Sequence, residues 1–303
     1  MKQRYCQGSE TSWSEVSHRV AQIAPSSVRG DVEQLILSKK FIPGGRILRN
    51  AGLPDSQLSN CFLFRAEDTR AGWADLTRKA TMTLMTGGGI GIDYRQIRPK
   101  GFTLKSTGGI ASGPIPLIQI VNEIGRGVQC GGYRRSAIYA SLPWNHPDIF
   151  DFIHLKDWPS YIQQQKLTNM DTPATADMTN ISVALDREFF IAYTDATHPL
   201  NGLAHSVYKA VVHNMCTTGE PGFQVDFDDQ TLRNACTEII SAADSDCCVL
   251  GALNFGLLTE AELPDAIYLA TGFLLNVTER TGQPLAESTI VLKRDRRLGL
   301  GIM

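Results

Sequence analysis

Asn234-Ala-Cys-Thr-Glu238, followed shortly by Cys248-Val-Leu-Gly-Ala-Leu-Asn254, carries more structural information than any other part of the chain. An amide two residues before a thiol and a carboxylate two residues after it share one face only in an extended segment or a loop tip of similar geometry. Such a tip brings together a hydrogen-bond donor, a sulfur and a base. Taken alone, the motif fits a surface loop with a buried cysteine equally well. Cys248 opens an apolar, strand-like run. Far upstream, Ser59-Asn60-Cys61-Phe62 offers a third cysteine in a similar setting.

Around these motifs, short strand-like runs alternate with helical ones from about residue 56. The predicted strands are Asn60 to Phe64, Ile90 to Tyr94, Ala137 to Leu142, Ile181 to Leu185, Phe223 to Phe227 and Cys248 to Phe255. The predicted helices are Trp73 to Met85, Ile115 to Ile124, Pro147 to Leu155, Arg187 to Tyr193, Leu203 to Met215 and Ala266 to Thr281. This alternation implies a mainly parallel α/β arrangement. Helical spacing in Trp13 to Ile23 and Val32 to Leu37 gives residues 1–55 a small helical region of their own, broken by Phe41-Ile-Pro-Gly-Gly45. Pro147 in His146-Pro-Asp148 and the acid of Asp186-Arg-Glu188 read as helix starts.

The chain has 303 residues, 43% of them hydrophobic, and a formal charge of −2, which describes an ordinary globular protein with one large domain or two modest ones. Charges of both signs are interspersed, so neither a nucleic-acid arm nor a polybasic membrane patch is expected. No signal peptide is legible, and the longest apolar stretch, Tyr268 to Val277, falls short of the roughly 20 residues of a membrane span. Seven scattered cysteines without CxxC spacing point to a reducing, cytoplasmic setting and to no zinc site. No pair of histidines has metal-ligand spacing, and no metal is expected.

The three cysteine motifs, in this chain order, resemble the catalytic subunit of ribonucleotide reductases. Further stretches agree: Phe41-Ile-Pro-Gly-Gly-Arg-Ile47, Gly87-Gly-Gly-Ile-Gly-Ile-Asp93, Ser106-Thr-Gly-Gly-Ile-Ala-Ser-Gly113, His146-Pro-Asp-Ile149, Asn180-Ile-Ser-Val183, Gly219-Glu-Pro-Gly222 and Arg296-Arg-Leu-Gly-Leu-Gly301. The resemblance runs from about residue 30 to the last residue. It implies the first part of a ten-stranded α/β barrel over residues 56–303, with residues 234–238 at the tip of a finger loop.

The resemblance also implies a reaction, reduction of ribonucleoside di- or triphosphates to deoxyribonucleotides. A thiyl radical on Cys236 would take the ribose 3′-hydrogen. Glu238 would accept the 3′-hydroxyl proton, and Asn234 would hold the sugar hydroxyls. Cys61 and Cys248 would supply two electrons by closing to a disulfide, which requires Cα atoms within roughly 4.4–6.8 Å. Cys247, the neighbour of Cys248 on a strand, should face away from the substrate. Gly45, Ser59 and Asn60 are the implied substrate contacts. The family commonly has proline and glycine around the radical cysteine, where this chain has Ala235 and Thr237, so a less rigid loop tip is expected. Cys6, Cys130 and Cys216 are expected to be structural.

Gly87-Gly-Gly-Ile-Gly91 lacks GxGxxG spacing and precedes a strand, so close backbone packing is favoured over phosphate binding. The family's effector loops fall at Lys100 to Lys105 and Cys130 to Ser136. Lys100, Lys105, Arg134 and Arg135 are therefore the implied contacts of a deoxynucleoside triphosphate effector, with an intramolecular ion pair as the competing role for the arginines. Pro43-Gly-Gly-Arg-Ile47 and Leu58-Ser-Asn-Cys-Phe62 are most similar to adenosylcobalamin-dependent members, and an oxygen-dependent large-subunit fragment is the alternative. The later strands, a phosphate loop and the cysteines that re-reduce the active site have no counterpart here. The expected partners are thus a thioredoxin-like dithiol reductant, a second polypeptide completing the barrel and a second copy in a homodimer. A non-catalytic nucleotide-binding or assembly fragment is the competing function.

Overall fold

Runs of apolar and small residues with almost no exposed positions form the centre of the molecule. The computed structural model describes the chain except for residues 1, 55, 106–107, 130–134 and 228–230. Its strands are β1 (Phe41–Pro43), β2 (Cys61–Arg65), β3 (Gly89–Asp93), β4 (Ile138–Pro143), β5 (Thr179–Leu185), β6 (Gly222–Val225), β7 (Leu232–Arg233), β8 (Ile240–Ser241), β9 (Val249–Leu253) and β10 (Leu298–Ile302). Strands β2 to β6 lie side by side in chain order, each parallel to the next. Every residue of β3 is buried, as are nearly all of β2 and β4, the pattern of strands covered on both faces.

Helices between consecutive strands cover one face. Arg70–Thr86 follows β2, Ile115–Gly127 follows β3, and Arg187–Thr194 with Asn201–Thr218 joins β5 to β6. Their apolar stripes meet Phe64, Ile90, Ile92, Ala140, Ile181 and Val183 in the larger core. Local chemistry fixes their ends. The Thr69 hydroxyl accepts from Gly72 N at 2.8 Å, and the Asp186 carboxylate accepts from Phe189 N at 2.9 Å.

Past β6 the chain turns into the β7/β8 hairpin, which lies against β2 and β3. It then returns along the free edge of β2 in the opposite direction, with Leu63 N donating to Asp246 O (2.9 Å) and Cys248 N to Cys61 O (3.2 Å). Strand β9 continues this segment, pairing antiparallel with β1 and parallel with β10. Strand direction therefore reverses between β2 and β9, and the sheet curves into part of an α/β barrel. Helices Trp13–Ala21 and Arg29–Leu37 join β1, β9 and the helix Leu263–Arg280 in a second apolar cluster that includes Val20, Ile36, Phe41, Leu253 and Phe273.

Two local expectations change. Phe41 to Gly45 is not a simple break: Phe41–Pro43 pairs with β9, and a short helix, Gly45–Asn50, starts at once. Pro147 precedes its helix, which begins at Ile149, because the Asp148 carboxylate binds Lys100 N (2.9 Å) instead of capping its own helix. The apolar stretch Arg296 to Met303 is strand β10 at its centre. Helices Ser160–Thr168 and Ala286–Asp295 carry too weak an apolar stripe to be legible; the first has no buried residue at all.

Candidate active site

Alternation along β3 sends Gly89, Gly91 and Asp93 to one face, and the β7/β8 hairpin lies on that face. A β-carbon at Gly91 would come within 2.0 Å of Arg233 O; one at Gly89 would sit 3.1 Å from Ala235 Cβ and 3.3 Å from Cys61 Sγ. The glycine run thus clears room for the loop that carries Cys236, the backbone-packing role expected for it.

That loop puts three sulfurs together. Cys61, at the start of β2, and Cys248, just before β9, are cross-strand neighbours, an arrangement with Cα atoms about 4.5–5.5 Å apart. The Cys61 thiol has both Cys236 and Cys248 as close neighbours, and packs with Cys248 and Ala235 in a small buried cluster. Cys61 and Cys248 are buried, whereas Cys236 is exposed. The Cys236 contact lowers the Cys61 pKa, but the Cys248 contact, burial and the nearby Glu238 charge outweigh it and push the thiol up to about 12. Cys236 is raised well above the ordinary thiol range by its bond to Cys61, then by burial and by the charges around it. Both sulfurs are therefore neutral S–H groups at physiological pH, a state suited to hydrogen-atom transfer and poor for nucleophilic attack.

Cys247 points the other way, into the core under the helices, where its thiol contacts Ser59 Oγ (3.7 Å) and Gln283 Oε1 (3.8 Å). Burial pushes it up to about 12. The register expected for this strand is the one observed.

A cavity of about 610 Å³ is lined by Gly45, Asn60 and Glu238 together with Gly251 and Gly299, and by Ile239 and Leu250, which pack against the cluster of Cys61 and Cys248. Two buried amide atoms at the site, Asn60 Oδ1 and Asn234 Nδ2, have no hydrogen-bond partner among the described residues. The other end of Asn234 is used internally, with Oδ1 accepting from Ile239 N at 3.0 Å. A buried acceptor and a buried donor left open cost roughly 1–3 kcal/mol each unless a ligand meets them. Ser59 does not line this cavity. It is fully buried, and its hydroxyl accepts from Gln283 Nε2 at 2.7 Å. Gln283 is a residue that spacing in the sequence gave no means to find.

A second cavity, of about 600 Å³, lies between the N-terminus of helix Arg70–Thr86 and the hairpin closed by the Thr103–Ile110 bridge. Thr69, Arg70, Trp73, Arg98 and Leu104 line it. Lys100 is directed to Asp151 instead (3.9 Å), and Lys105 is exposed without lining either cavity. Arg135 is ion-paired with Asp171, while Arg134 and Cys130 lie outside the described residues. Neither Arg70 nor Arg98 sits in a glycine-rich loop, so the sequence alone does not single them out.

The family model described as "Ribonucleotide reductase, barrel domain" matches residues 59–198 and 204–303. The chain is 26% identical over 300 residues to the "Vitamin B12-dependent ribonucleoside-diphosphate reductase" of Thermoplasma acidophilum, covering 89% of this chain and 37% of that protein. The protein of the same name from Mycobacterium tuberculosis is 26% identical over 315 residues, 93% of this chain and 43% of its own length. The "Ribonucleoside-diphosphate reductase large subunit" of Vaccinia virus is also 26% identical, over 94% of this chain and 44% of that protein. The chain spans less than half the length of these relatives. Among the described residues no helix is long and apolar enough to cross a membrane.

Proposed function

This chain belongs to the ribonucleotide reductase barrel-domain family, and from that premise we propose that it reduces ribonucleoside diphosphates to 2′-deoxyribonucleotides by thiyl-radical chemistry on Cys236. The observation that carries the reading is the placement of one buried thiol, Cys61, next to both Cys236 and Cys248, in a cluster against which Ile239 and Leu250 pack from the wall of the cavity that holds Glu238.

Each residue has a chemical task. A radical at the Cys236 sulfur takes the 3′-hydrogen of the ribose. Glu238 receives the 3′-hydroxyl proton, and the 2′-hydroxyl leaves as water. A positioned carboxylate in such a role contributes about 10²–10⁴-fold in rate. Asn60 Oδ1 and Asn234 Nδ2, the unpaired acceptor and donor, orient the sugar hydroxyls. Cys61 and Cys248 close to a disulfide, giving one proton to the departing 2′-hydroxyl and a second proton with two electrons to form the new C2′–H bond. Glu238 returns its proton to the 3′-oxygen, and Cys236 returns its hydrogen to C3′, regenerating the radical. A thioredoxin-like dithiol then reopens the disulfide.

Two relatives are named for vitamin B12, which supports adenosylcobalamin as the radical source. The exposed Cys236 sulfur fits that role, since it is reachable from outside while its two partners are not. When bound, the cofactor supplies the one-electron chemistry that side chains lack. The Trp73–Arg98 cavity, with a ring to stack on, the Arg70 guanidinium, and Arg98 ion-paired with Asp68 in its wall, is the candidate place for a deoxynucleoside triphosphate effector. Strands β6 and β10 end their sheets with one side unpaired among the described residues, which supports completion of the barrel by further polypeptide, and a second copy as partner.

Reduction of a ribonucleoside diphosphate with adenosylcobalamin and a dithiol, assayed with and without a polypeptide that supplies the remaining barrel strands, tests the reading. Turnover is expected with the partner and should vanish in Cys236→Ser. Turnover that survives Cys236→Ser, or nucleotide binding without any turnover in the completed assembly, would overturn it.

A further inference from the structure

The β7/β8 hairpin has only two residues per strand, too short to hold its own tip in place. Beneath it runs a continuous chain of buried polar contacts. The Tyr139 hydroxyl, on β4, donates to Gln224 Oε1 at 2.5 Å; Gln224 Nε2, on β6, donates to Asp226 Oδ2 at 2.6 Å. The Asp226 carboxylate is ion-paired with the Arg233 guanidinium. Arg233 in turn donates from Nη1 to Thr237 O at 2.8 Å and from Nη2 to Val225 O at 3.1 Å. Tyr139, Gln224 and Asp226 are each under one-tenth exposed.

Thr237, where this chain ends, adjoins Cys236 and has φ of +67°. That is a conformation a β-branched residue does not hold unaided. The contact to its carbonyl comes from a planar group whose other two sides are engaged by Asp226 and by the backbone of β6, so the tip is tied to the barrel wall and not merely to its own hairpin.

We propose that Arg233 is a positioning residue for the proposed reaction: oriented by Tyr139, Gln224 and Asp226, it holds the loop tip so that the Cys236 sulfur stays against Cys61. The proposal rests on the reading of Cys236 as the radical-bearing sulfur for its functional meaning, but its geometry can be measured without turnover. Since the loop carrying Cys236 lies beside Cys61 at Gly89 and Cys248 packs with Cys61, mild oxidation of the purified chain with diamide should give two alternative bridges. In each, two thiols lose two protons and two electrons and diamide is reduced to the hydrazine. Cys248 is held by strand pairing, whereas Cys236 depends on the clamp.

Peptide mapping after oxidation at pH 9 should show the ratio of Cys61–Cys236 to Cys61–Cys248 falling at least fivefold in Arg233→Met, with the Cys61–Cys248 yield kept. Arg233→Lys should restore part of the ratio. Tyr139→Phe, which removes one hydroxyl and keeps the ring, should lower it in the same direction by about twofold, and it serves as the deciding variant if Arg233→Met does not fold. An unchanged ratio in the folded variants overturns the proposal. Because the ratio needs no catalysis, loss of the radical role in the Cys236→Ser assay and loss of the clamp are separate results. In the completed enzyme, Arg233→Lys should reduce kcat with KM unchanged, a split that general loss of fold would not produce.

Discussion

Gly91 and Arg233 touch backbone to backbone: a β-carbon at 91 would lie 2.0 Å from the Arg233 carbonyl oxygen. No side-chain movement can relieve that overlap, because the obstructing atom belongs to the hairpin's main chain. Gly91→Ala should therefore push the hairpin off β3, costing roughly 1–3 kcal/mol as overpacked interiors do. A urea midpoint reports the cost, and turnover in the completed enzyme should fall more than tenfold. Wild-type stability and turnover in this variant would contradict the packing described for the finger loop.

Two adjacent cysteines on opposite faces of one strand make a clean discrimination. Cys247 lies in the helix-side core and Cys248 beside Cys61. Oxidised Cys247→Ala should still show the Cys61–Cys248 bridge by mass spectrometry and should keep substantial turnover. Cys248→Ala should lose the bridge and any turnover that depends on a dithiol reductant. A Cys61–Cys247 bridge in the wild-type chain would mean that the register between β2 and its antiparallel neighbour is off by one residue.

Much of this architecture is legible in the sequence because the centres of strands β2 to β5 are apolar or small and mostly buried, and most of the helices between them carry an apolar stripe. The register that separates Cys247 from Cys248 follows from the two-residue repeat of a strand alone. The three cysteine motifs are legible only together, since no local rule connects Cys61 with a loop so far along the chain. What stays hidden depends on contacts between distant segments. Gln283 reaches Ser59 from the connection after helix Leu263–Arg280, and the arginines of the second cavity gain meaning only when the hairpin folds over Trp73. Strand β1 is concealed by its own proline, which pairing at the sheet margin tolerates.

Thr237 stands where related loops commonly carry glycine, and its φ of +67° explains that preference. A left-handed conformation costs an ordinary residue roughly 1–2 kcal/mol, against roughly 0.5–1 kcal/mol for the added freedom of glycine in the unfolded chain. Thr237→Gly should thus be neutral or stabilising by up to about 1 kcal/mol. The acceptor used by Arg233 is a backbone carbonyl and survives the change. Denaturant unfolding checks the sign. A clear loss of stability would show that the threonine side chain makes a contribution larger than the strain it imposes.

Asp177, on the way into β5, is a carboxylate that joins side chains from two helices. It accepts from Arg126 Nη1 (3.1 Å), Lys166 Nζ (2.8 Å) and Asn122 Nδ2 (3.3 Å), and so ties helices Ile115–Gly127 and Ser160–Thr168 together. Burial alone would raise its pKa, but the bonds from Arg126, Lys166 and Asn122 outweigh it and hold the group below the ordinary 3.8. A carboxyl whose folded pKa is depressed stabilises the fold fully above its unfolded value and loses that contribution as pH falls through the folded one. Asp177→Asn should consequently be less stable than wild type at pH 7. The deficit should stay at or below the roughly 3–5 kcal/mol seen when a buried pair loses one partner, because Arg126 and Lys166 each keep some solvent. Below pH 3.8 the two stability curves should converge, because the wild-type carboxyl then becomes neutral as well. Parallel curves from pH 7 down through the acid limb would show that Asp177 contributes by packing and hydrogen bonding and not by its charge.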